Sequence, residues 1–232
     1  MIQLSIIIPV LNEEYNLPQC LRAIPHNPNI EVIVIDGGSS DRSIQIAKHY
    51  GCTTETILGG KAKQLQKGAQ KAQGNTLLFL HGDCLLPKNF DVVIEQTLHQ
   101  QNVCCGAFSL AINEKGFKYT LVSWGANFRS RWSNLPYGDQ GLFMRKSTYQ
   151  KIGGFPSIPI MEDYVFIRNI AQLGAIMTCP EKIITSARRW KNMGVFRTTM
   201  INQAIIIGYK IGIHPENLYR LYNRLKGVGE IK

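Results

Sequence analysis

The first hundred residues alternate short apolar, β-branched runs with segments whose apolar residues recur at helical spacing. Runs that are apolar on both faces are typical of parallel strands buried by helices. The pattern predicts four strands: Leu4–Val10, Glu31–Asp36, Thr54–Leu58 and Thr76–Leu80. It predicts helices over residues 12–24, 41–51, 61–72 and 89–100. This alternation predicts an α/β fold with a Rossmann-like, mostly parallel open sheet and helices on both faces.

The second half of the chain is less regular. The pattern predicts a strand at residues 104–113, an amphipathic helix at Gly116–Arg131, and a loop running into a strand at residues 134–146. An acidic loop then leads into a helix that ends at Gly174, and a strand follows at Lys182–Thr185. Residues 192–225 predict one or two C-terminal helices broken near Pro215.

The composition narrows the class of protein. With 232 residues, 44% hydrophobic and 18% charged, the chain is typical of one ordered globular domain. Its net charge of +10 favours anionic partners such as a nucleotide, a sugar phosphate, a membrane surface or nucleic acid. The basic residues are scattered and match no nucleic-acid-binding motif, so we expect no nucleic-acid partner.

The cysteines argue against a structural zinc site. There are six, and none forms a Cys-x-x-Cys pair.

The N-terminal apolar run lacks a basic flank and is too short for a signal peptide or a membrane span. We therefore expect reduced thiols and a cytoplasmic protein.

Acidic residues follow three of the predicted strands. Asn12, Glu13 and Glu14 come after the first, Asp36 ends the second, and Asp83 follows the fourth. Ligands of open α/β sheets gather beyond the carboxyl ends of the strands. The sequence therefore predicts that these acids meet at one edge, although Asp36 and Asp83 are also good turn residues.

Three further segments carry candidate chemistry. Gly59 and Gly60 precede a helix with Lys61 and Lys63, and a helix N-terminus after glycines is a natural anion site. The segment 136–145 has a glycine-flanked Asp-Gln pair that could approach a ligand or form a plain hairpin turn. Glu162 and Asp163 precede a helix, where carboxylates act either as an acid–base pair or as helix caps.

Several motifs occur together in a recognisable order. These are SIIIPVLNEEYNL, VIVIDGGSSDRS, LLFLHGDCLLP, GGF with MEDYVFIRNI, and SARRW. In this order they resemble the family 2 glycosyltransferases, which have the GT-A fold, over roughly Leu4 to Trp190. GGKAKQLQKGA, PYGDQGLFMRK and TSARRW are similar to a small bacterial subgroup labelled arsenosugar-type. His81 stands where the family's Asp-x-Asp motif has its first acid, and Ser186 replaces the glutamine of processive relatives, which disfavours polymer synthesis.

The resemblance implies a role for each motif residue. Asp83 would bind a divalent cation, Mg²⁺ or Mn²⁺. Asp163 would be the general base, and Glu162, beside it in the catalytic site, would orient the acceptor or the backbone. A nucleotide would lie against eight residues: Pro9, Val10, Asn12, Glu14, Asp36, Lys63, His81 and Gly82. The acceptor or the sugar would lie against four: Asp139, Gln140, Arg189 and Trp190. For Arg189 and Trp190, an ion pair and core packing are equally good interpretations.

The leading hypothesis is metal-assisted, inverting transfer of a sugar from a nucleoside-diphosphate sugar to an acceptor hydroxyl. The alternative is a non-catalytic protein that binds nucleotide sugars or a membrane surface. We interpret residues 1–225 as one GT-A domain with a nucleotide-binding half (1–101), an acceptor and catalytic half (102–190) and C-terminal helices (191–225), followed by a flexible tail (226–232). The acceptor is expected to be a small molecule or lipid-linked. Peripheral contact with the inner face of a membrane and a homodimer are left open.

Overall fold

A computed structural model describes residues 1–226, so the predicted tail lies outside the described residues except for Lys226. The strands are β1 (Leu4–Val10), β2 (Ile30–Asp36), β3 (Thr53–Thr56), β4 (Thr76–Phe79), β5 (Cys84–Leu85), β6 (Val103–Ile112), β7 (Leu142–Arg145) and β8 (Ala175–Thr185). The helices are α1 (Leu17–Arg22), α2 (Ser43–His49), α3 (Lys61–Lys71), α4 (Phe90–His99), α5 (Phe117–Trp132), α6 (Lys146–Lys151), α7 (Glu162–Ile170), α8 (Arg188–Met193), α9 (Val195–Lys210) and α10 (Pro215–Lys226). None of the helices within this range is long and apolar enough to cross a bilayer.

The eight strands form one mixed sheet in the order β3-β2-β1-β4-β7-β6-β8-β5. Strands β1 to β4 are parallel, as the alternating first half predicts, and β6 is parallel to β8. Strand β7 lies antiparallel between β4 and β6, and β5 is antiparallel to β8. The predicted α/β fold with C-terminal helices is confirmed.

The first helix begins later than the sequence pattern predicts. Residues 12–16 are not helical, because their backbone is held by the loop before α2. The amides of Asn12 and Glu13 donate to the hydroxyls of Ser39 and Ser43. Helix α1 then starts at Leu17, with a proline in its first turn, where a missing N–H costs nothing.

The core lies on both faces of the sheet. Leu4, Ile6 and Ile8 of β1 pack into one apolar cluster, whereas Ile7 points into a second. This division explains why β1 is apolar at nearly every position, since both of its faces are covered. A third, small cluster joins α9 to α10 through Ile201, Ile205 and Leu218.

One edge of the sheet collects most of the motifs. The parallel strands β1, β2 and β4 end at this edge, and so do β6 and β8. Because β7 and β5 are antiparallel to their neighbours, they begin there. The turn Gly138–Gln140 and the residue Asp83, which precede these two strands, therefore join the same edge.

Two mid-helix glycines provide a test of this packing. A Cβ on Gly68 of α3 would overlap Cγ2 of Ile7, whereas a Cβ on Gly125 of α5 would meet nothing within 4 Å. We expect Gly68→Ala to lower the free energy of unfolding by about 1–3 kcal/mol through overpacking. The same change at Gly125 should raise it by up to about 1 kcal/mol, because alanine is the better helix former. Urea unfolding measures both, and equal effects would contradict the α3–β1 packing.

Candidate active site

Two acids at the start of α7 share one lysine. Nζ of Lys61, the first residue of α3, lies 2.7 Å from Oε1 of Glu162 and 3.0 Å from Oδ2 of Asp163. Gly59 and Gly60 adopt positive φ before α3. Met161, also at positive φ, directs the chain into α7. These two turns bring the helix starts together across 102 positions of sequence.

The two carboxyl groups that share the ammonium have pKa values shifted in opposite directions. Burial acts to raise the pKa of Asp163, but the groups that favour its carboxylate, Lys61 first and then others including the Gly138 amide, together hold the pKa below its ordinary value. Burial raises the pKa of Glu162 by more than Lys61 lowers it. Burial alone would lower the pKa of Lys61, but the charges of Asp163 and Glu162 raise it. Asp163 is therefore the ionised partner and Glu162 the more readily protonated one.

The turn before β7 fixes Asp163 from the other side. The amide of Gly138 donates to Oδ2 of Asp163 at 3.2 Å. A Cβ at Gly138 would lie 2.5 Å from that oxygen and 2.9 Å from Nε2 of His81, so no larger residue fits. Burial, aided by Lys61, lowers the pKa of His81 to about 4. The imidazole beside Asp163 is therefore neutral at physiological pH.

Asp83 lies in a locally acidic place. Burial raises the pKa of Asp83, and the nearby charge of Glu13 raises it further, against the opposing effect of Arg188. Glu13 itself pairs with Arg188, and Nδ2 of Asn16 donates to it at 2.9 Å. A cation at this position would offset the repulsion between Asp83 and Glu13.

Asp139 is the second acid near Asp83. Burial raises the pKa of Asp139, and the guanidinium of Arg129 acts against that effect. Its buried Oδ1 accepts no hydrogen bond from any of residues 1–226. Sγ of Cys84 lies within donating distance of Oδ1 of Asp83, at 3.7 Å, and of the backbone carbonyl of Asp139, at 3.8 Å, so its single proton can bond to either acidic segment.

A cavity of about 520 Å³ opens onto these acids. Lys61, His81 and the four acids Asp83, Asp139, Glu162 and Asp163 line one side. The opposite side comes from α8, α9 and α10 and is mainly apolar and aromatic. Its apolar and aromatic residues are Trp190, Ile205, Ile206, Tyr219 and Tyr222, and Arg189, Asn202 and Lys226 add polar groups. The arrangement can hold a cation, and through it an anionic group, at the acidic side and a less polar group against the helices.

The structure brings together seven of the residues predicted from the sequence. His81, Asp83, Asp139, Glu162, Asp163, Arg189 and Trp190 all line the cavity. Eight others do not line it: Pro9, Val10, Asn12, Glu14, Asp36, Lys63, Gly82 and Gln140. Pro9 and Val10 are buried in β1, and Gly82 packs against the side chains of Val10 and Glu13. Their contact with a nucleotide remains a prediction.

Two of the predicted nucleotide residues are engaged in turns. The carboxylate of Asp36 accepts hydrogen bonds from the amides of Gly38 at 2.8 Å and Ser39 at 3.0 Å. Oδ1 of Asn12 accepts from the amide of Ser40 at 2.9 Å. These contacts join the loops after β1 and β2. The local turn role considered for Asp36 is thus present, whatever else the residue binds.

Glu14, Gln140 and Lys63 also have clear structural surroundings. Oε2 of Glu14 pairs with the guanidinium of Arg42 at 3.4 Å. Nε2 of Gln140 donates to the carbonyl of Phe108 at 3.0 Å, so this buried amide ties the turn before β7 to β6. Lys63 is exposed on α3, with its side chain beside Gly59.

Some site residues were not singled out by the sequence analysis. Tyr137 lines the cavity, and the guanidinium of Arg129 lies 3.7 Å from the centre of its ring. Tyr219 and Tyr222 reach the cavity from α10. A helical pattern shows only that α10 has an apolar face, not what that face covers. The sequence suggested Lys61 as a phosphate ligand. Its pairing with Glu162 could not be predicted, because the two residues are far apart in sequence.

The sequence model of glycosyl transferase family 2 matches residues 5–157, about two thirds of the chain. The chain belongs to this family. The matched segment contains Asp36, Asp83 and Asp139. Glu162, Asp163 and the C-terminal helices lie beyond it.

Relatives of known name agree with this family. The chain is 32% identical over 91 residues to glycosyltransferase AglE of Haloferax volcanii, covering 34% of this chain and 30% of the relative. It is 33% identical over 101 residues to the dolichyl-phosphate beta-glucosyltransferase of Drosophila melanogaster, covering 35% and 31%. The chain thus spans about a third of the length of these curated relatives.

Solved glycosyltransferase structures show the same fold. The mannosyltransferase PcManGT of Pyrobaculum calidifontis, in complex with GDP-Man and Mn²⁺, superposes with a TM-score of 0.66 at 16% identity, over 97% of this chain and 69% of that one. S. aureus TarS 1–349 in complex with UDP-GlcNAc gives a TM-score of 0.60 at 15% identity, over 80% and 58%. The family 2 chain therefore has the predicted GT-A fold.

The acidic side of the cavity fits a divalent cation of the kind that the family's GT-A fold implies. Asp83 and Asp139 present hard carboxylate oxygens in surroundings that disfavour their ionisation, and Oδ1 of Asp139 has no partner within residues 1–226. Among residues 1–226, no three or more His, Cys, Asp and Glu side chains form a complete metal site. The protein would thus supply one or two ligands, and the remaining ligands would come from water and a diphosphate.

The Lys61 ion pair makes stability depend on pH. The lowered pKa of Asp163 stabilises the fold above its unfolded pKa, and this contribution is lost as pH falls through the folded value. The raised pKa of Lys61 stabilises the fold below its unfolded pKa, and this contribution is lost as pH rises through the folded value. Without the ammonium, the carboxyl pKa values should exceed their unfolded values, so the fold would be penalised at neutral pH and relieved in acid.

We expect Lys61→Met to lower the free energy of unfolding near neutral pH, because two buried carboxyl groups lose their counter-ion. The expected loss is about 1–3 kcal/mol and no more, since Lys61 is only partly buried. The loss should shrink at about pH 4.5, where the carboxyl groups bind protons. Lys63→Met, on the exposed side of the same helix, is the matched control and should change stability by less than about 0.5 kcal/mol. Urea unfolding at both pH values measures the effect, and a loss independent of pH would contradict the assignment.

Proposed function

We propose that the protein is a metal-assisted, inverting glycosyltransferase that uses a nucleoside-diphosphate sugar. One observation carries the proposal: Asp83, Asp139 and Asp163, from three distant segments, line one cavity at the carboxyl edge of a family 2 fold. Two proteins with the same fold bind GDP-Man with Mn²⁺ and UDP-GlcNAc, which supports the class of donor.

Asp163 is proposed as the general base. Its lowered pKa keeps the carboxylate ionised at neutral pH, and Lys61 and the Gly138 amide fix its orientation. Asp163 would accept the proton of the acceptor hydroxyl as that oxygen bonds to the anomeric carbon. The bond from this carbon to the diphosphate breaks on the opposite side, and the diphosphate leaves with the electron pair. One such displacement inverts the anomeric carbon without a covalent enzyme intermediate.

Asp83, with Asp139 beside it, is proposed to hold Mg²⁺ or Mn²⁺. A bound cation would neutralise the charge that develops on the departing diphosphate. Neutral His81 adds no positive charge here and can donate a hydrogen bond to a phosphate or ribose oxygen. The acceptor would lie toward Arg189, Trp190 and the α9–α10 side chains, where Nε of Arg189 is buried and has no hydrogen-bond partner among the described residues.

We expect Asp163→Asn to reduce turnover by about 10²–10⁴-fold, because the amide cannot accept the acceptor's proton. Donor affinity should change little. The control is Asp91→Asn, which alters another acid in a first helical turn, away from the cavity. Nucleoside-diphosphate release over a panel of donors and acceptors, with calorimetry for donor binding, separates the two effects. Tight donor binding without turnover by the unmodified protein would instead favour a non-catalytic binding protein.

Metal use can be tested without knowing the acceptor. With Mn²⁺ present, UDP or GDP at about 100 times its Kd should stabilise the protein by about 2.7 kcal/mol, seen as a higher Tm. Asp83→Asn should abolish the part of this stabilisation that depends on Mn²⁺, and Asp91→Asn should preserve it. The same response with and without Mn²⁺ would argue against a metal-assisted site. For a productive donor and acceptor, NMR of the product's anomeric proton then reports inversion or retention.

A further inference from the structure

Helix α5 exposes a row of large apolar side chains that the fold does not cover. Its members are Phe117, Leu121, Trp124, Phe128 and Trp132. Their spacing of four, three, four and four places them on one face of the helix. Phe117 is 82% exposed, Trp124 63% and Trp132 78%. We call this group the α5 row. Monomers commonly expose single, scattered apolar side chains, whereas the α5 row is a contiguous set of five.

The aromatic members of the α5 row are ordered against one another. The rings of Trp124 and Phe128 stack at 5.5 Å between centres, and those of Phe128 and Trp132 stack at 5.7 Å. They therefore form one continuous aromatic surface along the C-terminal half of the helix. Such a surface costs free energy in water unless it meets an apolar or interfacial partner.

The orientation of α5 is fixed by polar contacts with β6. Oδ1 of Asn127 accepts from the amide of Leu110 at 2.7 Å, and Nδ2 donates to the carbonyl of the same residue at 3.0 Å. The guanidinium of Arg131 donates to the hydroxyl of Ser109 at 2.9 Å. These bonds attach α5 to β6, so the helix cannot turn its aromatic face inward without breaking them.

The charges around the α5 row indicate the chemistry of its partner. Helix α5 carries no acidic residue and three cations: Lys118, and Arg129 and Arg131, whose guanidinium groups also contact Tyr137 and Ser109. Helix α9, which contacts α5, carries Arg197 and Lys210, again without an acid, and exposes Phe196 and Met200. In a two-fold dimer the α5 row would face its own copy and place cation against cation. An anionic surface instead complements both the rings and the charges.

We propose that the α5 row is a membrane-docking surface that lies in the interfacial layer of a bilayer containing anionic lipid. Tryptophan and phenylalanine favour the boundary between headgroups and acyl chains, and the flanking cations favour anionic headgroups. The helix would lie along the surface rather than cross it. This proposal does not depend on glycosyl transfer, because it concerns attachment alone.

Vesicle flotation of the full chain tests the proposal. The protein should float with vesicles of equal parts phosphatidylcholine and phosphatidylglycerol, and bind vesicles of phosphatidylcholine alone about tenfold less well. Combining Trp124→Ser, Phe128→Ser and Trp132→Ser should reduce binding to the anionic vesicles at least about tenfold. Tyr15→Ser removes an aromatic residue that is 79% exposed elsewhere and should leave binding unchanged. Circular dichroism checks that each variant is folded.

Fluorescence gives a second measurement that needs no change in the α5 row. The chain has three tryptophans, so Trp190→Phe leaves only Trp124 and Trp132 as reporters. Their emission should shift to shorter wavelength with anionic vesicles and be quenched by brominated lipid. Lys118→Glu should weaken this response.

Three results would overturn the proposal. They are no binding to anionic vesicles, equal binding to neutral and anionic vesicles, and a dimer in light scattering that the triple serine variant dissociates. The third would identify the row as an interface between two copies of the chain.

Discussion

The candidate site depends on the ion pairs that one lysine makes with two neighbouring carboxylates. Lys61 begins α3, and Glu162 and Asp163 begin α7, so both helix starts must lie at the same edge of the sheet for these contacts to form. Two adjacent acids in a buried place would repel each other and bind protons without that ammonium. The pair therefore joins the two halves of the chain and keeps Asp163 ionised where the acceptor would react.

The antiparallel direction of β7 is the second constraint on the site. A purely parallel sheet would place the start of β7 at the far edge, away from Asp83. Because β7 is antiparallel between β4 and β6, the turn Gly138–Gln140 reaches the acidic edge. Gly138 then donates to Asp163 and leaves room for His81, which no residue with a side chain would do.

The sequence predicted the first half of the fold well, because β1, β2 and β4 are apolar on both faces and each ends at a turn. The meeting of Asp83 and Asp163 was also predictable, from strand ends and motif order. The individual side-chain contacts were not predictable, since no local pattern and no motif links Lys61 to Glu162. The late start of α1 was missed because hydrogen bonds from the loop before α2 override the helical pattern of residues 12–16. The cavity wall from α10 was missed because amphipathicity does not say what a helix packs against.

Arg129 links the outward-facing helix α5 to the cavity wall. It belongs to α5, yet its guanidinium stacks on Tyr137 in the cavity wall, and its Nε donates to the carbonyl of Leu135 at 3.0 Å. Ser130, also of α5, accepts a hydrogen bond from Nε2 of Gln140 at 3.2 Å, so two neighbouring residues of this helix hold the loop that forms part of the cavity wall. The outward-facing helix and the lining of the cavity therefore rest on one shared set of contacts.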